Sequence, residues 1–254
     1  MTVSKYCVLI LTVISSCFLL SCAQTGEQGQ SLKAYYLSMK PQDGVRILHF
    51  KAVADTNLAG EFWRVQADSV GLMSYAVYND VGELLQWYRE REVGTGIIME
   101  DYFLSGTDSA GRFAPVKAVI RYDDVVPYQA KPGGIFLFRI QWQGIGKDNM
   151  GYELIRNRIF SGDTTVQYAG KTIPAIKFRL RDRVETEKVG ILGLDITGEE
   201  VYARGQGLIY YRRNISGNRS MTYRLDKVLS PDELQKQYKL ELDDPFVKYA
   251  SSGK

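Results

Sequence analysis

The sequence is poor in the residues that most often carry enzyme chemistry. It holds a single histidine, His49, in 254 residues. A Ser-His-Asp arrangement would have to use it, and no Gly-x-Ser-x-Gly nucleophile elbow accompanies it. His49 lies in the alternating run "VRILHFKAV", which predicts a strand histidine satisfied by its neighbours. Cysteine is as scarce: Cys7, Cys17 and Cys22 are the three, all near the N-terminus. One histidine and so few thiols supply no zinc-ligand spacing. The expectation is no metal, no cofactor and no catalytic residue.

An excess of one charge is missing too. The formal net charge is +3, and one of the positive charges is Lys5. So weak a field gives no drive toward nucleic acid, which is excluded as a partner. The sequence also lacks a comfortable membrane span. Its apolar run, Tyr6 to Leu20, has 15 residues. As a helix that is about 22 Å at ~1.5 Å per residue, whereas a span needs about 20 residues.

That short run has another reading. Met1 to Lys5 is brief and basic, Tyr6 to Leu20 is apolar, and Ser21-Cys22-Ala23 closes it with small residues. This is the order of a secretory signal, which predicts residues 1–21 as a signal peptide. Leu19-Leu20-Ser21-Cys22 resembles the lipobox of bacterial lipoproteins. The resemblance implies that Cys22 is acylated and becomes the new N-terminus. Ile14-Ser15-Ser16-Cys17 also fits the box. Cleavage there would leave Phe18-Leu19-Leu20 on the mature chain and halve the apolar core, which favours Cys22. Cleavage before Cys22 removes the other two thiols, so no internal disulfide can form. One acyl chain holds a protein only marginally, while the two or three chains of such lipoproteins anchor it stably. The expected partner is therefore a membrane, through Cys22. Ala23 in place of an aspartate points to the outer membrane, facing the periplasm. Residues 22–42 read as a tether and lead-in segment, Gly/Gln-rich over Thr25 to Gln30.

Leu32, Tyr35, Tyr36 and Met39 recur at helical spacing before Pro41, which fits either a short helix or an irregular lead-in. From Val45 onward the period is near two. Trp63, Val65 and Ala67 alternate with Arg64, Gln66 and Asp68; Phe136, Phe138, Ile140 and Trp142 share one face of "IFLFRIQWQ". In "AIKFRLRDR", Ile176, Phe178 and Leu180 alternate with Lys177, Arg179 and Arg181. Such strands belong to antiparallel sheets with one wet face. Turn signals near residues 80, 108, 133, 162, 197 and 216 separate the runs and leave no room for crossover helices. "SPDELQKQY" starts a helix, with Ser230 as N-cap, Pro231 at N1 and Glu233 closing a capping box. The reading is one mainly all-β domain over 43–242, a short C-terminal helix within it, and a tail over 243–254.

"VQYAGKTIPAIKF" (166–178) and "VYARGQGLIYYRRN" (201–214) together resemble a broad set of exported, poorly characterised bacterial β-proteins. The residues that carry the resemblance are Gly170, Ile173 and Ala175, then Tyr202, Ala203, Gly205, Gly207 and Leu208. It implies a curved antiparallel sheet, a half-barrel or incomplete barrel related in shape to lipoprotein carrier folds, with no known catalytic residue. Gly205-Gln206-Gly207 precedes the strand-like "LIYYRRN", which predicts a bend rather than a phosphate loop.

Other features weigh less. Glu100-Asp101, Asp123-Asp124, Glu199-Glu200 and Asp243-Asp244 are acidic doublets, but adjacent residues on a strand point to opposite faces. Lys177, Arg179, Arg181 and Arg183 form a basic row, read as a solvated face or a contact for anionic envelope polymer or headgroups. The runs at 68–70, 108–110 and 163–165 resemble Bacteroidetes O-glycan acceptors, and Asn214-Ile215-Ser216 fits the N-glycan sequon.

The expected role is non-enzymatic: carriage of an apolar ligand or lipid in an apolar cleft, or envelope assembly with a protein partner through a flat apolar patch. The alternative is a periplasmic glycan-acting hydrolase. That reading expects two carboxylates, clustered and with raised pKa, across a Tyr- or Trp-lined groove, an arrangement that would displace the binding reading.

Overall fold

The computed structural model describes residues 29–53, 58–145, 150–186, 193–215 and 219–249. The signal segment, Cys22 and most of the tether lie outside the described residues.

The alternating runs are strands. The first half comprises β1 (Gln30–Ser31), β2 (Arg46–Ala52), β3 (Glu61–Ala67), β4 (Leu72–Asn79), β5 (Leu84–Val93), β6 (Gly96–Thr107), β7 (Phe113–Lys117) and β8 (Val119–Pro127). The second half comprises β9 (Gln129–Ala130), β10 (Ile135–Gln143), β11 (Gly151–Tyr168), β12 (Lys171–Thr186), β13 (Leu194–Ala203), β14 (Gly207–Ile215) and β15 (Arg219–Leu229). Every pairing is antiparallel. Sequential hairpins join β2 to β5 and β10 to β15, while β6 pairs with both β7 and β8.

Two pairings turn this meander into a ring. β15 returns to β2, with Leu229 opposite Ile47 and Tyr223 opposite Ala52. β5 pairs with β6 from Gln86 to Val93. The result is a closed twelve-stranded antiparallel barrel, not the half-barrel or incomplete barrel expected from the sequence. Closure satisfies the backbone groups that an open sheet would leave on its two edge strands. Bulges at Arg89/Glu90, Phe160/Gly162 and Val201/Tyr202 supply local bending.

Eight strands enclose a space that ordinary side chains fill, and the diameter grows with strand number. Twelve strands therefore need bulk inside. Phe50, Phe138, Phe160 and Phe178 are buried there, with Tyr88, Tyr102 and Tyr211. Outside, Arg139 pairs with Glu153, Lys177 with Glu199, and Arg179 and Arg181 are exposed. Charges on the outer wall are not the apolar band of a membrane-spanning barrel.

The lead-in segment is irregular. It makes two 3-10 turns, Lys33–Tyr35 and Pro41–Asp43, with extended chain between. Leu32, Tyr35, Tyr36 and Met39 are nonetheless all buried, because the segment plugs one mouth of the barrel. Leu32 N–H donates to the Tyr128 carbonyl at 2.9 Å and Gly205 N–H to the Ala34 carbonyl at 2.8 Å. β1 adds two residue pairs with β9.

The predicted helix is α1 (Pro231–Tyr238), and a single turn, α2 (Pro245–Lys248), follows. The capping box forms: Ser230 Oγ accepts from Glu233 N–H at 3.2 Å, and the Glu233 carboxylate accepts from Ser230 N–H at 2.7 Å. Leu234 packs with Ile47, Phe62, Tyr78 and Trp87 on the outer wall. The segment read as a tail is also packed as far as Tyr249, whose ring stacks on Phe113 at 5.0 Å.

Two turn signals and one predicted bend resolve differently from the reading. Gly162, φ +111°, is a bulge inside the long strand β11. Gly198 lies inside β13, where a Cβ would stand 2.0 Å from the Arg212 carbonyl oxygen. Gly205 and Gly207 do not bend one strand; they belong to the tight hairpin between β13 and β14.

Candidate functional site

The barrel interior is not wholly apolar. Alternation places Arg156 and Arg158 of β11 in phase with the buried Phe160, and Glu200 of β13 in phase with Tyr202. Arg213 follows Tyr211 inward on β14, Glu61 precedes Trp63 on β3, and Gln86, Tyr88 and Glu90 point inward from β5. These side chains surround an interior cavity of about 230 Å³.

Most of the charges are matched. Glu200 accepts from Arg158 Nε at 2.9 Å, Arg213 Nη2 at 2.7 Å and Tyr202 OH at 2.9 Å. Arg158 Nη1 also donates to the Val125 carbonyl at 3.1 Å. Arg156 grips Asp182, with Nη2 to Oδ2 at 2.6 Å. Burial would raise the Glu200 pKa, but the guanidiniums of Arg158, Arg213 and Arg156 outweigh it and hold the carboxyl well below its usual range. Glu61 accepts from Tyr211 OH at 2.5 Å and Trp63 Nε1 at 2.8 Å. Burial still leaves its pKa raised.

Glu90 differs. Its carboxylate has no hydrogen bond or ion pair among the described residues. Burial pushes its pKa up to about 7; Arg158 opposes the shift and Glu200 adds to it. The Tyr75 and Tyr88 rings stack at 4.9 Å, and Tyr88 stacks on Tyr102 at 5.6 Å. Tyr102 OH donates to Gln86 Oε1 at 2.5 Å, whereas the hydroxyls of Tyr75 and Tyr88 have no hydrogen-bond partner among the described residues.

A second cavity, about 1,090 Å³, lies at the plugged mouth between the lead-in segment and the β3–β4 and β5–β6 turns. Tyr36, Leu37, Tyr75, Glu90 and Ile97 line both spaces, which places Glu90 at the neck between them. Tyr36 is fixed there by its hydroxyl on the Pro127 carbonyl, 3.1 Å, and by an edge contact with Tyr202.

The residues singled out from the sequence lie elsewhere. His49 faces outward beneath α1, with Nδ1 3.2 Å from Tyr238 OH and 3.4 Å from Asp226, and its ring stacks on Phe62. Burial lowers its pKa, with Asp226 opposing. Lys177, Arg179, Arg181 and Arg183 run along the outer wall. Glu199–Glu200 behaves as strand geometry requires, with Glu199 on Lys177 outside and Glu200 turned inward, whereas the bulge at Arg89/Glu90 leaves Glu100 and Asp101 on the same outer face. Asp101 pairs with Arg89 and Lys117, Glu100 with Arg91, and Asp244 caps α2. Cys22 lies outside the described residues.

The interior charges were missed. A signal was present: in "LIRNRIF" Arg156 and Arg158 keep phase with Leu154 and Phe160, a polar pair on an apolar face. Charged residues in core phase are either paired or functional.

The molecule is thus a closed antiparallel barrel with a plugged mouth and a walled, partly charged cavity. It is similar to the crystal structure of a protein from Bacteroides fragilis, provisionally described as exported and having a YmcC-like fold. The TM-score is 0.50 at 18% identity, covering 78% of this chain and all of that one. A protein from Parabacteroides distasonis, provisionally described as a lipoprotein, matches with TM-score 0.46 and 11% identity over 80% of this chain and all of its own. At such identities the first likeness is one of fold. No protein-family profile and no curated protein sequence matches the chain.

Proposed function

We propose that this protein is a lipid-anchored envelope protein, held through acylated Cys22 at the outer membrane facing the periplasm, whose barrel binds a small polar ligand without catalysis. The observation that carries the binding reading is the interior cavity with its neck, where the Glu90 carboxylate and the Tyr75 and Tyr88 hydroxyls lack protein partners among the described residues. Glu90 and Tyr75 are half-buried and all three line the cavity, so these groups are left for water or ligand. The arginine-bearing wall suits a polar molecule better than the acyl chain expected of a lipid carrier.

The hydrolase reading has one point in its favour: Glu61 and Glu90 both have raised pKa and share an aromatic-lined cavity. Acid–base pairs, however, work by having their pKa values pushed apart. Here both carboxylates are pushed the same way, and Glu200, the depressed one, is consumed by two arginines and a tyrosine. That leaves no cavity carboxylate of depressed pKa free to act as the second member of an acid–base pair.

The anchor is tested by Cys22→Ala and by globomycin. Both should block lipid-dependent processing, and Cys22→Ala should move the protein to the soluble fraction. Normal processing and membrane fractionation of the variant would refute the anchor. For binding, denaturing the detergent-purified protein should release a polar compound in near-stoichiometric amount, read by mass spectrometry.

A further inference from the structure

Resting on the ligand-binding reading, we infer that the neck at Glu90 recognises a primary ammonium group. Glu90 is the one interior carboxylate without a hydrogen bond or ion pair among the described residues. It comes from β5 and shares the cavity wall with Tyr75 of β4, Tyr36 of the lead-in segment and Tyr202 of β13. Arg158 and Glu200, which act on it in opposite senses, are bonded to each other at 2.9 Å, and neither bonds to Glu90. When ionised, Glu90 therefore has no directly bonded counter-charge among the described residues.

The chemistry of the unfilled groups narrows the ligand. An ammonium has three N–H donors and no acceptor. The neck offers the Glu90 carboxylate and the Tyr75 hydroxyl, and the interior cavity the Tyr88 hydroxyl, as acceptors, together with tyrosine rings that attract a cation. An anion would meet Glu90, while the arginine donors beyond it already hold Glu200 and Asp182. A neutral polyol could hydrogen-bond at the neck but would leave the carboxylate charge uncompensated. The 1,090 Å³ mouth provides the approach, and the 230 Å³ interior space takes the rest of a small molecule.

The test compares matched probes on the full chain in detergent, by saturation-transfer NMR and thermal denaturation. Glucosamine and glucose differ by one ammonium in place of a hydroxyl. Ethanolamine and a short-chain phosphatidylethanolamine separate a free amine from a lipid headgroup, and inorganic phosphate is the anion arm. We expect glucosamine to bind at least tenfold more tightly than glucose, and Glu90→Gln to weaken it at least tenfold. Tyr75→Phe with Tyr88→Phe, which removes two acceptors and no charge, should weaken it several-fold and serves if Glu90→Gln does not fold. Glucose binding as tightly as glucosamine, or amine binding unmoved by the variants, overturns the inference. If glucose or phosphate binds and the amines do not, the ammonium inference falls and the ligand-binding reading stands. If no probe binds, the binding reading falls as well.

Discussion

Arg158 on β11 and Glu200 on β13 meet inside the barrel across the intervening strand β12, Nε to Oε2 at 2.9 Å. Their side chains are 9% and 3% exposed. Glu200 also holds Arg213, so one carboxylate balances two buried guanidiniums. Breaking a buried pair by removing one partner typically costs about 3–5 kcal/mol, since it strands the other charge. Glu200→Gln should therefore lower the unfolding free energy by that order in chemical denaturation. A change below about 1 kcal/mol would mean that the arginines are solvated in the cavity.

Glu90 predicts a pH dependence with a definite sign. Its pKa rises from 4.5 to about 7 on folding, so the folded chain prefers the protonated form. The associated stability is fully present below pH 4.5 and is lost as pH rises through about 7. At about 1.4 kcal/mol per pKa unit, the loss is at most about 3 kcal/mol, less where cavity water screens the charge. Glu90→Gln escapes this loss. Its melting temperature should exceed the parent's at pH 8, by a margin that shrinks toward pH 5. A pH-independent difference would contradict the assignment.

Gly207 ties the plug to the barrel. Its φ is +78°, and an added Cβ would stand 2.9 Å from Leu37 Cβ. Gly207→Ala should combine backbone strain of about 1 kcal/mol with displacement of the lead-in segment. Trypsin should then cut faster after Lys33 than in the parent, while the far-UV spectrum stays that of a β-protein.

The outer helix makes a separate claim on stability. Ser230→Ala removes an N-cap and should cost about 1 kcal/mol. Leu234→Ala opens a cavity against Ile47, Phe62 and Trp87 and should cost about 2–5 kcal/mol. Equilibrium denaturation reads both. A negligible effect of Leu234→Ala would show that α1 does not contribute to the folded core.

Local features were legible. Phe136, Phe138, Ile140 and Trp142 occupy one face of β10, as alternation requires, and Ser230 caps α1 as its sequence signature indicates. Leu32, Tyr35, Tyr36 and Met39 were visible as an apolar set, although their helical spacing is satisfied by an irregular plug instead. Gly162 and Gly198 misled because glycine inside a strand and glycine at a turn have the same local signature.

The sequence by itself determined which residues alternate and where the C-terminal helix starts. Each depends on neighbours a few residues apart. Only the tertiary structure decided that the sheet closes, because closure rests on β2 meeting β15 across most of the chain. Only it decided that Glu90, Tyr75 and the Arg158–Glu200 pair share a cavity. Their meeting is set by strand order and register, which no local pattern of residue types encodes.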